Sequence, residues 1–185
     1  MISNKFLVLI SVFILFSCSK PVKEEKITLE GAVFGTSYKI VYLNTSINYQ
    51  KSIDSLFLLM NTSLSTYIPS SDISRINSGD TTVVVDNLFL EVFKKSKRIH
   101  KETNGYFDPT VGNLVNAWGF GPKNEKRNLT ATELHELMQF VGLDFVKIVD
   151  RQVFKKEAKI YLDFNSIAKG FGIDVVARFL TSKKI

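Results

Sequence analysis

Lys159-Ile160-Tyr161-Leu162-Asp163-Phe164-Asn165-Ser166-Ile167-Ala168-Lys169-Gly170-Phe171-Gly172-Ile173-Asp174 is the stretch on which the reading of this chain turns. Lys159 to Leu162 reads as a strand that delivers Asp163 to a turn. Ser166 then caps a helix running to about Leu180, with Ile167, Phe171, Val175 and Phe179 recurring along one face and Lys169 in the first turn. The start of a helix offers open backbone N–H groups and the positive end of the dipole, a seat for phosphate. Lys169 adds a full charge, and Gly170 and Gly172 permit close backbone approach. Carbonyls of the Asn165-Ser166 turn suit a hard cation. An ordinary capped helix carrying an incidental lysine accounts for the same residues equally well.

Upstream, strands and helices alternate. Ile27 to Ala32 and Thr36 to Leu43 read as strand, broken by Phe34-Gly35. A helix over Tyr49 to Leu64 follows, with Ile53, Leu56, Leu59, Met60 and Leu64 as its apolar face. Val83 to Val85 reads as a short strand, and Asp86 as the cap of a helix through about Lys101 with the stripe Leu88, Val92 and Ile99. Gly105 to Lys126 reads as irregular. Thr130-Ala131-Thr132-Glu133 is a capping box opening a helix that Gly142 closes. Val146 to Val149 and Gln152 to Phe154 complete the strands. The result is a mixed α/β (α+β) domain.

Two further segments carry candidate chemistry. Thr103 to Gly121 contains Gly105-Tyr106-Phe107-Asp108-Pro109 and Trp118-Gly119-Phe120-Gly121. Its aromatics beside a turn and an acid make a slot for a flat heterocycle, with Asp108 accepting from ring N–H groups. A glycine-rich loop covering the core explains it as well. In Ser65-Thr66-Tyr67 through Asn77, Tyr67 can stack on a ligand and Asp72 can cap a helical turn. His100 and His135 sit on amphipathic helices and read as surface residues rather than as a base or ligand.

The N-terminus is of another kind. Lys5 precedes the apolar run Phe6 to Phe16, and Leu15-Phe16-Ser17-Cys18 has the form of a bacterial lipobox. The run is too short for a permanent membrane span. Residues 1–17 therefore read as a lipoprotein signal peptide, Cys18 as the lipidation site and 18–26 as a polar tether. Residues 27–185 are the folded domain. Acyl chains hold well, each buried methylene contributing roughly 0.8 kcal/mol. The expected location is the cell membrane, lipid-anchored and facing the periplasm or exterior. Cys18 is the single cysteine, so the exported domain has no disulfide or thiolate metal site.

The remaining chain is long enough for one real core, and it holds twelve of the fifteen Phe and all six Tyr. The net charge of +6 is spread among interleaved acids and comes with no nucleic-acid-binding signature, so no nucleic acid partner is expected. Walker loop, dinucleotide glycine fingerprint, HExxH and GxSxG are all absent from the sequence.

Taken in order, Phe34-Gly35-Thr36, Ser65-Thr66-Tyr67 through Asn77, Gly105 through Gly121 and Asp163 through Asp174 resemble the FAD:protein FMN transferase (ApbE) family. The resemblance implies an ApbE-like fold and transfer of FMN from FAD to a partner threonine through a phosphoester, with AMP released. Typical acceptors are flavoprotein subunits of membrane redox complexes; some members instead hydrolyse FAD. It implies that Phe34, Tyr67, Tyr106, Phe107, Asp108, Asp163 and Lys169 line the FAD site, and that Ser166 gives a backbone oxygen to Mg²⁺. No catalytic residue is assigned. Phe34 stands where the family often has methionine, and Asn165-Ser166 replace a frequent Gly-Ala.

The chief departure is length. Family members continue well past the counterpart of Ile185, with more strands and an acidic/threonine motif that supplies the principal magnesium ligands. The expectation is therefore an N-terminal fragment, or the product of a decayed gene, incomplete at the C-terminus and with half a metal site. The alternatives to a transferase are an FAD pyrophosphatase using the same site and a non-catalytic flavin-binding surface lipoprotein.

Overall fold

A computed structural model describes residues 25–122 and 126–185 of the chain. Cys18, the signal before it and most of the tether lie outside the described residues.

Strands β1 (Lys26–Val33) and β2 (Thr36–Leu43) form one antiparallel hairpin with Val33 opposite Thr36 and Lys26 opposite Leu43. The interruption at Phe34-Gly35 is a two-residue turn in which both residues have positive φ, 51° and 69°. That geometry matches the twist of the flanking strands, and glycine accepts it freely. Phe34 accepts it at a steric cost and is held by its ring, which packs edge-on to Phe57 at 5.8 Å.

Helix α1 (Gln50–Leu64) buries Ile53, Phe57, Met60 and Leu64. These positions share a face at 3.6 residues per turn; Leu59 falls off it and is 55% exposed, contrary to the sequence reading. Helix α2 (Asp72–Asn77) is capped by Ser71 rather than by Asp72. Helix α3 (Asn87–Glu102) starts at Asp86, as expected, whose carboxylate accepts from the Phe89 N–H at 2.8 Å. The same oxygen accepts from Ser63 Oγ at 2.9 Å and so ties α3 to the end of α1. The buried face of α3 is Phe89, Val92, Phe93 and Ser96, one position round from the expected stripe; Leu88 and Ile99 are half-buried.

Val83 to Val85 is extended but makes no strand. Its Val85 N–H donates to the Arg151 carbonyl at 2.9 Å, and the Val85 carbonyl accepts from Arg151 Nη1 at 3.2 Å. The segment expected to be irregular contains helix α4 (Gly112–Ala117). Helix α5 (Ala131–Met138) begins with the expected reciprocal capping box of Thr130 and Glu133. A short 3₁₀ turn, Leu143–Phe145, leads into the hairpin β3 (Val146–Val149) and β4 (Gln152–Lys155). Helix α6 (Asn165–Ser182) closes the chain.

The main core gathers Phe89, Phe164, Phe171, Ile73, Leu143 and Ile160, and a second cluster of Leu29, Tyr42, Ile53, Phe57 and Val176 lies under the first hairpin. Phe34 packs against both. Ion pairs reinforce the packing of α6 on α3: Arg178 reaches both oxygens of Glu91 at 2.8 and 3.0 Å, and Lys95 reaches Asp174 at 3.1 Å. The architecture is α+β.

Candidate functional site

Residues 159–162 do not join a ladder. Tyr161 bridges Val111 in parallel, and the Asp163 N–H donates to the Pro109 carbonyl at 2.7 Å. A bulkier residue than glycine at 112 would collide with Tyr161, since a Cβ there would lie 2.4 Å from its ring. Burial raises the pKa of the Tyr161 hydroxyl, and the Asn116 and Asn77 side chains beside it partly offset the rise.

The turn into α6 also differs from expectation. The helix starts at Asn165 with Phe164 as N-cap, and no side chain caps it, so Ser166 lies inside the first turn. Asp163 Oδ1 accepts from the Asn165 N–H at 2.7 Å, and the Phe164 carbonyl takes the N–H groups of Ile167 and Ala168. Among the described residues the Ser166 N–H is the donor of this turn left over. Lys169 falls just beyond the first turn and, among the described residues, takes part in none of the ion pairs. Asp163 is 8% exposed. Burial raises its pKa, and hydrogen bonds from Asn165 partly offset the rise.

Beside this junction opens a cavity of about 670 Å³ lined by Phe34, Met60, Ser65, Tyr67, Asn165 and Lys169 among others. The fold thus joins three separate parts of the chain: the first hairpin's turn, the loop after α1 and the start of α6. Asn165 Nδ2 donates to Thr66 Oγ1 at 3.1 Å, linking the last two. Tyr67 is half exposed, and its hydroxyl donates to the Phe120 carbonyl at 2.9 Å. The wall therefore offers an aromatic face, an amide, the Lys169 ammonium and a helix N-terminus, the groups suited to a nucleotide's ring and phosphates.

Of the residues assigned from sequence, Phe34, Tyr67 and Lys169 come together on this wall. Asp163 and Ser166 flank it at the base of α6 without lining it. Tyr106, Phe107 and Asp108 are not among its lining residues. Tyr106 is 96% exposed. The Asp108 carboxylate is engaged by its own surroundings: Oδ1 accepts from Thr110 N–H and Oγ1, and Oδ2 from the Leu143 N–H at 3.1 Å. His100 is half-buried rather than a surface residue, with Nδ1 2.8 Å from the Phe107 carbonyl and 3.5 Å from Asp108 Oδ2. Asp108 and His100 thus secure the loop that reaches Asp163 through Pro109. The Thr66 hydroxyl and the side-chain amides of Asn77 and Asn165 are polar groups that residue type alone did not single out.

The Asp163 carboxylate and the Ser166 carbonyl are hard oxygen donors of the kind magnesium takes. Among the described residues no group of three or more His, Cys, Asp or Glu is placed to hold a metal. The fit to magnesium is therefore one of donor type, with only part of a ligand set.

The family model described as "ApbE family" matches residues 34–185. The chain is 35% identical to an FAD:protein FMN transferase of Vibrio cholerae serotype O1, covering 98% of this chain and 56% of that protein. It is 34% identical to the Haemophilus influenzae protein of the same name, covering 90% and 51%. Among solved structures, the flavin transferase ApbE from Vibrio cholerae superposes with a TM-score of 0.81 at 35% identity, over 88% of this chain and 55% of that one. The Pseudomonas stutzeri flavinyl transferase ApbE shares the fold at a TM-score of 0.80 and 23% identity, over 89% and 55%. The chain spans about half the length of the curated relatives it matches. On the strength of this match over most of its length, the chain belongs to the ApbE family.

Proposed function

We propose that the complete protein transfers FMN from FAD to a threonine of a partner protein. The observation that carries this reading is the cavity wall on which Tyr67, Asn165 and Lys169 meet beside the start of α6, in a chain matched to the family over residues 34–185. Phe34 and Tyr67 present apolar and aromatic surface to the cofactor's rings. Lys169 and the α6 N-terminus face the diphosphate, where positive charge favours both binding and departure of AMP. In the reaction the threonine oxygen bonds to the FMN phosphorus, the bond from that phosphorus to the AMP oxygen breaks, and the hydroxyl proton is released. Magnesium, held in part by the Ser166 carbonyl, would neutralise charge on the diphosphate.

The lipobox supports a placement at the membrane through Cys18, facing the periplasm or exterior, with an acceptor flavoprotein subunit of a membrane redox complex as partner.

The test incubates the complete protein with FAD, Mg²⁺ and a threonine-bearing acceptor, followed by in-gel flavin fluorescence. Covalent label on the acceptor that EDTA abolishes is the expected result. FAD lost without labelling identifies a pyrophosphatase instead, and FAD bound but unconsumed identifies a non-catalytic binder. Lipidation is checked separately by palmitate incorporation, which Cys18→Ala should abolish.

A further inference from the structure

Helix α2 is bonded at its start to the Ser65-Thr66-Tyr67 loop that lines the cavity and at its end to the segment that leads into α6. At its start, Ser71 Oγ donates to the Ser65 carbonyl at 2.6 Å and accepts from the Ser74 N–H. Ser74 Oγ donates to the same carbonyl at 3.1 Å. These bonds hold the Ser65-Thr66-Tyr67 loop. At its end, Asn77 pairs with both backbone groups of Leu162. Nδ2 donates to the Leu162 carbonyl, and Oδ1 accepts from the Leu162 N–H, each at 2.8 Å. One side-chain amide thus supplies the rung that a neighbouring strand would otherwise make.

We propose that Asn77 is a positioning residue for the candidate site, and that α2 is the strut that sets the spacing between Tyr67 and the start of α6. Leu162 immediately precedes Asp163, and the opposite side of this segment is held by Pro109 and Val111. Where Leu162 sits therefore decides where Asp163 receives the Asn165 N–H, and hence where Asn165 and Lys169 stand. Leu162 is fully buried, so no water replaces a lost partner for its carbonyl and N–H. A side-chain clamp at this point fixes the segment while leaving its neighbourhood free of a second strand. The functional consequence rests on the cavity taking FAD, whereas the structural one does not.

The test uses Asn77→Ala and Asn77→Asp in the full chain. A carboxylate at 77 can accept from the Leu162 N–H but repels its carbonyl; the protonated acid again donates and accepts, as the amide does. Two quantities are read between about pH 7 and about pH 3, a window that crosses the ordinary aspartate value of about 3.9. One is FAD affinity by flavin fluorescence, expressed relative to the wild type at each pH. The other is hydrogen exchange of the amides of residues 162–166 against those of the β3–β4 hairpin. Asn77→Ala should weaken FAD binding about tenfold, a difference of about 1.4 kcal/mol, and speed exchange at 162–166 while the hairpin keeps its protection. Asn77→Asp should match Asn77→Ala near neutrality and approach the wild type at the acid end, where Asn77→Ala does not recover.

Unchanged affinity in Asn77→Ala, uniform acceleration of exchange, or no acid recovery of Asn77→Asp each overturns the proposal. If the wild type binds no FAD, the reading of the cavity fails and exchange alone judges the strut. Acceleration confined to 162–166 then upholds it, and its absence refutes it.

Discussion

A Cβ added at Gly172 would lie 3.0 Å from Cε2 of Phe34, so the helix backbone of α6 and the ring at the hairpin turn are in direct contact. Gly170, two residues earlier in the same helix, has nothing within 4 Å of its Cβ position. Both glycines weaken the helix by about 1 kcal/mol relative to alanine. Gly170→Ala should therefore raise stability by ~0.5–1 kcal/mol, whereas Gly172→Ala should fall below it by ~1–2 kcal/mol because Phe34 must shift within a packed core. Urea unfolding of the two variants measures the difference. Equal stabilities would mean that Phe34 moves aside freely.

Lys155 ties the end of β4 to α2 and to the segment that leads to Asp163. Its ammonium donates to the carbonyls of Ile76, Ala158 and Ile160 at 3.2, 2.9 and 2.9 Å. Burial lowers its pKa. Lys155→Met keeps the stem but strands the carbonyls, at a cost of ~2–3 kcal/mol. Chemical unfolding should show this loss, and a variant as stable as the wild type would show that water reaches all three.

The acid limb of stability has a local source in Asp80. Hydrogen bonds from the Thr82 hydroxyl and N–H, then from Arg75, hold its pKa down from 3.8 to about 2. The folded value lies below the unfolded one, so its contribution is present above 3.8 and is lost as pH falls towards 2. Asp80→Ala should flatten the stability profile across that interval and leave its shape at neutral pH unchanged. Unfolding midpoints at a series of acid pH values provide the check.

Asp163 has the opposite sign. Burial raises its folded pKa, so its carboxyl favours the fold at low pH, and that advantage declines as pH rises from its ordinary range through the folded value. Asp163→Asn keeps an oxygen for the Asn165 N–H and removes the buried charge. The variant should be at least as stable as the wild type at neutral pH, with the difference shrinking on acidification, yet bind FAD more weakly. Unchanged FAD affinity would remove Asp163 from the site.

Lys169 separates binding from folding most simply, because it is exposed and joins no ion pair among the described residues. Lys169→Met should leave the melting temperature within about a degree while weakening FAD binding about tenfold, since a charge-assisted bond to phosphate contributes ~1.5–3 kcal/mol. Equilibrium titration of the full chain with FAD checks it, and equal affinities would move the diphosphate elsewhere.

Local rules carried much of the architecture. The Thr130–Glu133 capping box, the Asp86 cap, the hairpin at Phe34-Gly35 and the helix after Asp163 are all governed by residues within a turn of one another, so the chain announces them. The faces of the helices were less legible. Leu59 and Phe57 are both apolar, and only the partner surface determines which is buried.

Residue type brought Tyr67 and Lys169 to notice as groups for a ligand's ring and phosphate, and the family resemblance added Phe34 and Asp163. It also proposed Asp108 as a ligand group, because a carboxylate in a turn looks the same whether its oxygens are free or taken up by Thr110 and Leu143. Nothing local marks Asn77 as the partner of Leu162, which lies 85 positions further on, or Asn165 as the partner of Thr66. Elements set by short-range sterics and hydrogen bonding were decided by the sequence itself. The register of a lone extended segment, and the walls of the cavity that depend on it, were decided only when tertiary packing brought buried donors and acceptors within reach of each other.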